Sequence, residues 1–527
     1  MTSLRTALLG ALAGACFLGG CSDGGAPAPQ AIQHGTTIEL ADGTIEGEVA
    51  GTTRRFRGIP FAAPPVGALR WRPPRPPAPW TGTLPTKAFS SACPQRPSTL
   101  GTPSENEDCL YLNVWTPDPA PQERLPVMVW FHGGGNEFGS TGDVIPLGLG
   151  GLIFDGQLLT ERRDVVVVTT NYRLGKLGFF AHPGLAAENP DAPYAGNQGL
   201  LDQRAALAWV KNNITAFGGD PDNVTIFGES AGSADVCFQV VSPGSRGLFH
   251  RAISESGGCT TRQDDAAEGA ELARRVAAAV GCGDVGDQLA CLRDAPVGAL
   301  LDSGVAVGPV VDGGFLPDQP RALLEAGDFA DVPYVLGSNA DEGTIFFLGV
   351  PPVANDAEYL AALRERYGER ADEIARTYPA SAFATPQDAL ERVLGDGGLV
   401  CGTYDSARRV AAAGGRVWLY DFARWVQIPE LQPLDLRALH GAEIAYVFGS
   451  PPPPTADDAA LSDAIQGYWT RLARDGDPNG DGAVEWPRYD DTSDRRLNLD
   501  VPITVVSRFR RTECEMWWRF YDEDFAS

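Results

Sequence analysis

The sequence predicts an α/β fold, a large and mostly parallel central sheet with helices on both faces. Two observations predict it. Apolar, β-branched runs near residues 110–115, 127–131, 164–168, 224–227, 249–254, 332–336, 417–420 and 503–506 alternate almost throughout with stretches of helical periodicity. Several of these runs are continuously apolar rather than alternating, as expected of strands covered on both faces. No internal repeat interrupts the pattern.

The chain has 527 residues, enough for one very large α/β domain or two to three ordinary ones, and its 43% hydrophobic and 21% charged content is that of a globular protein. A net charge of −26 argues against nucleic acid or an anionic membrane surface as partner. Ten cysteines favour an oxidising compartment. The first residues agree: a short basic start leads into an apolar stretch, residues 7–20, that is shorter than the roughly 20 residues of a spanning helix. Leu18-Gly-Gly-Cys21 resembles a bacterial lipobox, and the competing Ala13-Gly-Ala-Cys16 lacks its large aliphatic residue. The expectation is therefore a signal segment over 1–20, lipidation of Cys21, a Gly/Pro-rich tether over 21–35 and one domain over 36–527. Export to a bacterial periplasm or cell envelope follows, with the lipid as the membrane contact.

Taken in order, residues 36–49 alternate polar and apolar around Gly43 and Gly47, which suggests an edge hairpin. The proline-rich stretch from Phe56 to Trp71 cannot be helical and reads as an extended surface segment. Strands near 110–115 and 127–131 follow, and the second ends in His132-Gly-Gly-Gly-Asn-Glu-Phe-Gly-Ser140. After the strand at 164–168, residues 200–214 place Leu201, Ala205, Ala208 and Trp209 on one helical face. Helical stripes recur at Leu272/Val276/Val280, Leu360/Leu363/Tyr367 and Ile465/Trp469/Leu472, and Met516, Trp517 and Phe520 suggest a packed C-terminal helix.

Chemistry enters at Val224-Thr-Ile-Phe-Gly-Glu-Ser-Ala-Gly-Ser233, where G-x-S-x-G stands directly after a strand. Small residues on both sides let the chain reverse sharply into a helix and push Ser230 Oγ out of the sheet. The three glycines after His132 leave backbone N–H groups bare. In an α/β-hydrolase such a loop supplies part of the oxyanion hole, and the N–H after the nucleophile completes it. Neither G-x-G-x-x-G nor a P-loop Lys-Ser/Thr is present to make it a phosphate cradle.

This fold orders its triad as serine, acid, histidine. Of five histidines, His34, His132 and His182 precede the serine, and His250 follows too closely to leave room for an acid-bearing loop. His440 remains as the base. Asp312, Asp341 and Glu342 are all possible acids on chemistry alone.

The sequence resembles the type-B carboxylesterases, the group that includes the cholinesterases. The resemblance runs from about residue 36 to the end, through Phe61-Ala-Ala-Pro-Pro-Val-Gly67, Glu107-Asp-Cys-Leu-Tyr-Leu-Asn113, the His132 loop, Gly199-Leu-Leu-Asp-Gln-Arg204, Phe227-Gly-Glu-Ser-Ala-Gly232, Asp341-Glu-Gly343 and His440-Gly441. It implies an α/β-hydrolase fold and a serine carboxylic-ester hydrolase working through an acyl-enzyme without a cofactor or metal. The implied triad is Ser230, Glu342 and His440, with Gly134, Gly135 and Ala231 as oxyanion donors. Glu229 flanks the site, and Ser256 hydrogen-bonds near the triad. Implied bridges are Cys93–Cys109, Cys282–Cys291 and Cys401–Cys514, with Cys237 and Cys259 left as a bridge or as buried thiols.

Departures from the family concern the substrate. The segment between Cys93 and Cys109 lacks the tryptophan with which cholinesterases hold a cation, and Ile345 stands where they place a second ring. Val305, Ala306 and Val307 replace acyl-pocket aromatics, and Asn136 and Glu137 replace the aromatic after the glycines. A small or medium uncharged ester is expected. Amide or lactone cleavage uses the same groups, and a non-catalytic binding or adhesion protein is the rival from another class. The EF-hand-like start at Asp475 fails, because Pro478 interrupts it and Trp486 occupies the twelfth position.

Overall fold

The computed structural model describes residues 31–98, 101–144, 152–188, 196–347, 350–429 and 431–526. The signal segment, Cys21 and most of the tether lie outside the described residues.

Among the described residues an eleven-stranded sheet organises the fold. Its strands are β1 (Glu48–Ala50), β2 (Thr53–Pro60), β3 (Tyr111–Pro117), β4 (Leu125–Phe131), β5 (Val166–Thr170), β6 (Gly219–Glu229), β7 (Arg251–Glu255), β8 (Tyr334–Asn339), β9 (Val417–Phe422), β10 (Arg495–Leu499) and β11 (Thr504–Ser507). Their spatial order is β11-β10-β9-β8-β7-β6-β4-β5-β3-β2-β1. From β5 to β10 every neighbouring pair is parallel, and antiparallel strands finish both edges. Val166, Val167 and Val168 are all fully buried, as are Val127, Met128 and Val129, so both sheet faces are covered. One core holds Val129, Ile226 and Leu336, and the other, across the sheet, holds Trp130, Phe227 and Val335.

The hairpin near the start pairs Thr37–Leu40 with Gly43–Glu46, and Thr83–Pro85 joins it in a separate three-stranded sheet. Two expectations need correction. The stretch 56–71 is extended except for a 3-10 turn at Gly67–Leu69, and only its middle is superficial: Pro64 and Val66 to Ala68 are exposed, but Phe56 and Ile59 lie fully buried in β2 and Phe61 and Trp71 are almost as enclosed. Prolines remove N–H donors but do not decide which way the intervening apolar side chains turn. The helix Gln198–Asn213 buries Leu200, Ala206, Leu207 and Val210 as well as Leu201 and Trp209, while Ala205 and Ala208 sit partly exposed. It is wedged so deeply that Asp202 and Gln203 are also buried, which blurs its periodicity.

Among the described residues four disulfides are formed: Cys93–Cys109, Cys237–Cys259, Cys282–Cys291 and Cys401–Cys514. The question left open at Cys237 and Cys259 is answered by a bridge from the helix Ala231–Val241 to the segment after β7. Cys401–Cys514 fastens the C-terminal helix Arg511–Ala526, whose Met516, Trp517 and Phe520 are buried as expected. No described helix is long and apolar enough to cross a membrane.

Candidate active site

Strand β6 ends at Glu229, and the helix Ala231–Val241 starts one residue later. Ser230 alone makes the reversal, at φ 59° and ψ −123°. An L residue there carries strain of about 1–3 kcal/mol. The flanking glycines are required by close approach. A Cβ on Gly232 would stand 2.1 Å from Phe131 O, and one on Gly228 would stand 2.6 Å from Gly232 O. The turn is therefore pressed onto the end of β4, and Ser230 N donates to Glu255 O at 2.9 Å. Ser230 stays partly exposed although its neighbours Glu229 and Gly232 are buried.

The loop after β4 runs alongside this turn. A Cβ on Gly133 would come within 2.9 Å of Ser230 Cβ. Gly134 (φ 104°) and Gly135 (φ 64°) adopt conformations open to glycine, and Gly134 O accepts from Glu137 N and Phe138 N. Among the described residues the N–H groups of Gly134, Gly135 and Ala231 donate to no protein acceptor. Gly135 is exposed, so solvent reaches this loop.

His440 arrives on the loop after β9. Its Nδ1 donates to Glu342 Oε2 at 2.6 Å, and its Nε2 faces Glu229 Oε1 at 3.1 Å. No hydrogen bond joins it to Ser230 Oγ among the described residues. Catalytic hydrogen bonds in empty sites are often long or misaligned and tighten around substrate. Glu342 follows β8; its other oxygen accepts from Asn339 N at 2.7 Å. The alternative acids are engaged elsewhere: Asp341 with Arg392, and Asp312 in capping Gly314 N and Leu316 N. The other described histidines have structural tasks where they make contacts. His132 stacks on Tyr172, His182 caps Gly184 N, and His250 accepts from Val224 N.

Three buried carboxyl groups, those of Glu229, Glu342 and Glu443, act on the imidazole, and a fourth, of Glu255, acts on Glu443 and Glu229. Beyond Glu229 and Glu342, sequence reasoning missed Glu443, which accepts from Ser256 Oγ at 3.3 Å and from Asn339 Nδ2, and Glu255, which accepts from Trp469 Nε1 at 2.7 Å. Glu443 stands three positions after His440, on the same turn, and that spacing was the available signal. Burial pushes Glu229 up to about 7, with the Glu342 charge adding to it and His440 opposing it. Burial and the Glu229 and Glu342 charges push Glu443 up to about 8. For His440 burial disfavours the cation, but Glu229 and Glu342 outweigh it and raise the imidazole to about 10. The arrangement thus favours an imidazolium once a proton reaches it.

Around the opening, the Phe346 ring lies 6.2 Å from the His440 ring and is half exposed. Ile345 beside it is partly buried, and Val305 packs with Trp71, Leu177 and Phe180 in a satellite core. Among the described residues no His, Cys, Asp and Glu group has the arrangement to hold a metal ion.

This geometry stands beside four likenesses in sequence. The model of the carboxylesterase family matches residues 34–517. A fumonisin B1 esterase from Sphingopyxis macrogoltabida is 36% identical over 485 residues, covering 88% of this chain and 85% of that one. A cholinesterase from Mus musculus is 34% identical over 529 residues, with 90% and 84% covered. The medium-chain fatty acyl-CoA hydrolase precursor of Anas platyrhynchos is 34% identical over 520 residues, with 89% and 88% covered.

Proposed function

We propose, from the premise that this chain belongs to the carboxylesterase family and is a serine ester hydrolase, that Ser230, His440 and Glu342 carry the reaction. The observation that carries the assignment is the 2.6 Å contact of His440 Nδ1 with Glu342 Oε2, two residues 98 positions apart. It fixes the tautomer that leaves Nε2 free as a base, on the side where Glu229 and therefore Ser230 stand.

In this reading Ser230 Oγ attacks the ester carbonyl while Nε2 takes its proton. Glu342 and Glu229 stabilise the imidazolium, and the N–H groups of Gly134, Gly135 and Ala231 receive the oxyanion. The imidazolium then protonates the leaving alcohol. Water, activated by the same nitrogen, releases the acid from the acyl-serine. No cofactor or metal is needed for these steps.

The substrate we infer is an uncharged ester of small to medium size. The Cys93–Cys109 loop carries no aromatic ring to hold a cation, and Phe346 presents an apolar surface beside the base. Two features support export: the four disulfides and the lipobox-like Leu18-Gly-Gly-Cys21, which would tether the enzyme to a bacterial envelope. Mass spectrometry of the mature N-terminus tests the tether, and an unmodified residue there removes it.

The decisive experiment is labelling with an organophosphate, read by peptide mass spectrometry. One equivalent on Ser230, with loss of activity on p-nitrophenyl esters, is expected, and Ser230→Ala should neither label nor turn over. Labelling elsewhere, or an active Ser230→Ala, overturns the assignment. Preference for choline esters over uncharged esters of equal acyl length would overturn the substrate class.

A further inference from the structure

The proposed oxyanion cradle is assembled from two segments that no chain continuity holds together. Gly134 and Gly135 belong to the loop after β4, and Ala231 opens the helix that follows Ser230. One buried side-chain hydrogen bond spans them. Asn136 Nδ2 donates to Asp235 Oδ1 at 3.1 Å, between residues 99 positions apart. Asn136 directly follows the glycines, and Asp235 lies one helical turn after Ala231.

We propose that the Asn136–Asp235 hydrogen bond is a latch that locks the glycine loop to the nucleophile helix, which makes both residues positioning residues for the cradle. The inference rests on the ester-hydrolase reading given above.

Both ends of the latch are anchored. Asn136 has φ 57°, a sparsely populated conformation for an L residue, and its carbonyl accepts from Gly175 N at 2.6 Å. Asp235 Oδ2 accepts from Gln203 Nε2 at 2.5 Å. Gln203 in turn accepts from Gln239, which bonds Leu200 O and Ser245 Oγ. The chain of contacts thus runs from the glycine loop through the nucleophile helix into the helix Gln198–Asn213. Asp235, Gln203 and Gln239 are fully buried and Asn136 is 5% exposed.

A carboxyl group in such a place is costly to desolvate, and an apolar side chain would pack there at less cost. What the polar pair adds is direction, because a hydrogen bond fixes orientation where apolar contact permits sliding. An error of about 1 Å in a donor's position is enough to cost a large factor in rate. Among the described residues neither side chain hydrogen-bonds to Ser230, so the latch acts through the placement of the N–H groups.

The test is a double-mutant cycle of Asn136→Ala, Asp235→Ala and the double variant. Each is assayed for kcat and KM and for inhibition by an alkyl trifluoromethyl ketone, which places an oxyanion on the serine adduct. Each single change should lower kcat about 10- to 100-fold, below the roughly 10²–10³ of losing a donor outright. KM should stay within about threefold, and the ketone should weaken by the same factor as kcat/KM. The double variant should fall no further than the worse single one. Multiplying losses, or unchanged ketone affinity, would overturn the latch and show a merely structural pair. Stoichiometric organophosphate labelling of all variants keeps this outcome separate from the other. If the unmodified enzyme takes neither label nor ketone, the esterase assignment falls first and the latch with it.

Discussion

Replacing Glu229 by glutamine removes one charge 3.1 Å from His440 Nε2 and leaves the side chain's shape. Even at the dielectric constant of bulk water, a unit charge at that distance is worth about 1.3 kcal/mol to an imidazolium. At an effective constant of about 20 the figure rises to about 5 kcal/mol. The lower value is the safer expectation, because burial holds Glu229 up to about 7 and leaves it only partly ionised near neutrality. One pH unit corresponds to about 1.4 kcal/mol. The sign is fixed by the role of the base. A raised imidazole pKa means that the base is lost to protonation at a higher pH, so removing the charge restores neutral imidazole at lower pH. The acidic limb of log kcat/KM should therefore move toward acid by about one unit or more in Glu229→Gln. The rate on the alkaline plateau should fall about tenfold, because the transition-state imidazolium loses that partner. Initial rates on a neutral p-nitrophenyl ester between pH 5 and 11, corrected for spontaneous hydrolysis, measure the displacement of the limb and the rate at its alkaline end. An unmoved limb, or one displaced toward alkali, would refute the coupling of Glu229 to His440.

Two further outcomes follow from backbone and covalent geometry. Ser230→Gly and Ser230→Ala should both be inactive, yet the glycine variant should have the higher denaturation midpoint. Relief of about 1–3 kcal/mol of strain at φ 59° outweighs the about 0.5–1 kcal/mol that glycine costs in chain entropy; equal midpoints would mean that the turn is unstrained. Replacing Cys401 and Cys514 by alanine opens a loop of 113 residues, for which chain entropy alone predicts a loss of about 5 kcal/mol. Guanidinium unfolding should show a clearly lower midpoint, and an unchanged one would leave the C-terminal helix held by packing alone.

Local chemistry by itself determined a good deal of this protein. Alternation of apolar runs and helices specified the sheet, because buried strands and amphipathic helices must differ in period. Gly228 and Gly232 marked the turn, since only glycine fits 2.1–2.6 Å from facing backbone oxygens. Chain order reduced the histidines to His440, and the family likeness, not the residues alone, chose Glu342 over Asp341 and Asp312. Tertiary structure decided what depends on which distant segments meet. It bridged Cys237 to Cys259, buried Phe56, Ile59, Phe61 and Trp71 of the proline-rich stretch, brought Glu443 to the imidazole and Glu255 to Glu443, and tied Asn136 to Asp235. Apart from the three-residue spacing of Glu443 from His440, no period or spacing reports these, because a buried carboxyl or amide acquires its partner and its proton affinity mainly from neighbours supplied by other parts of the chain.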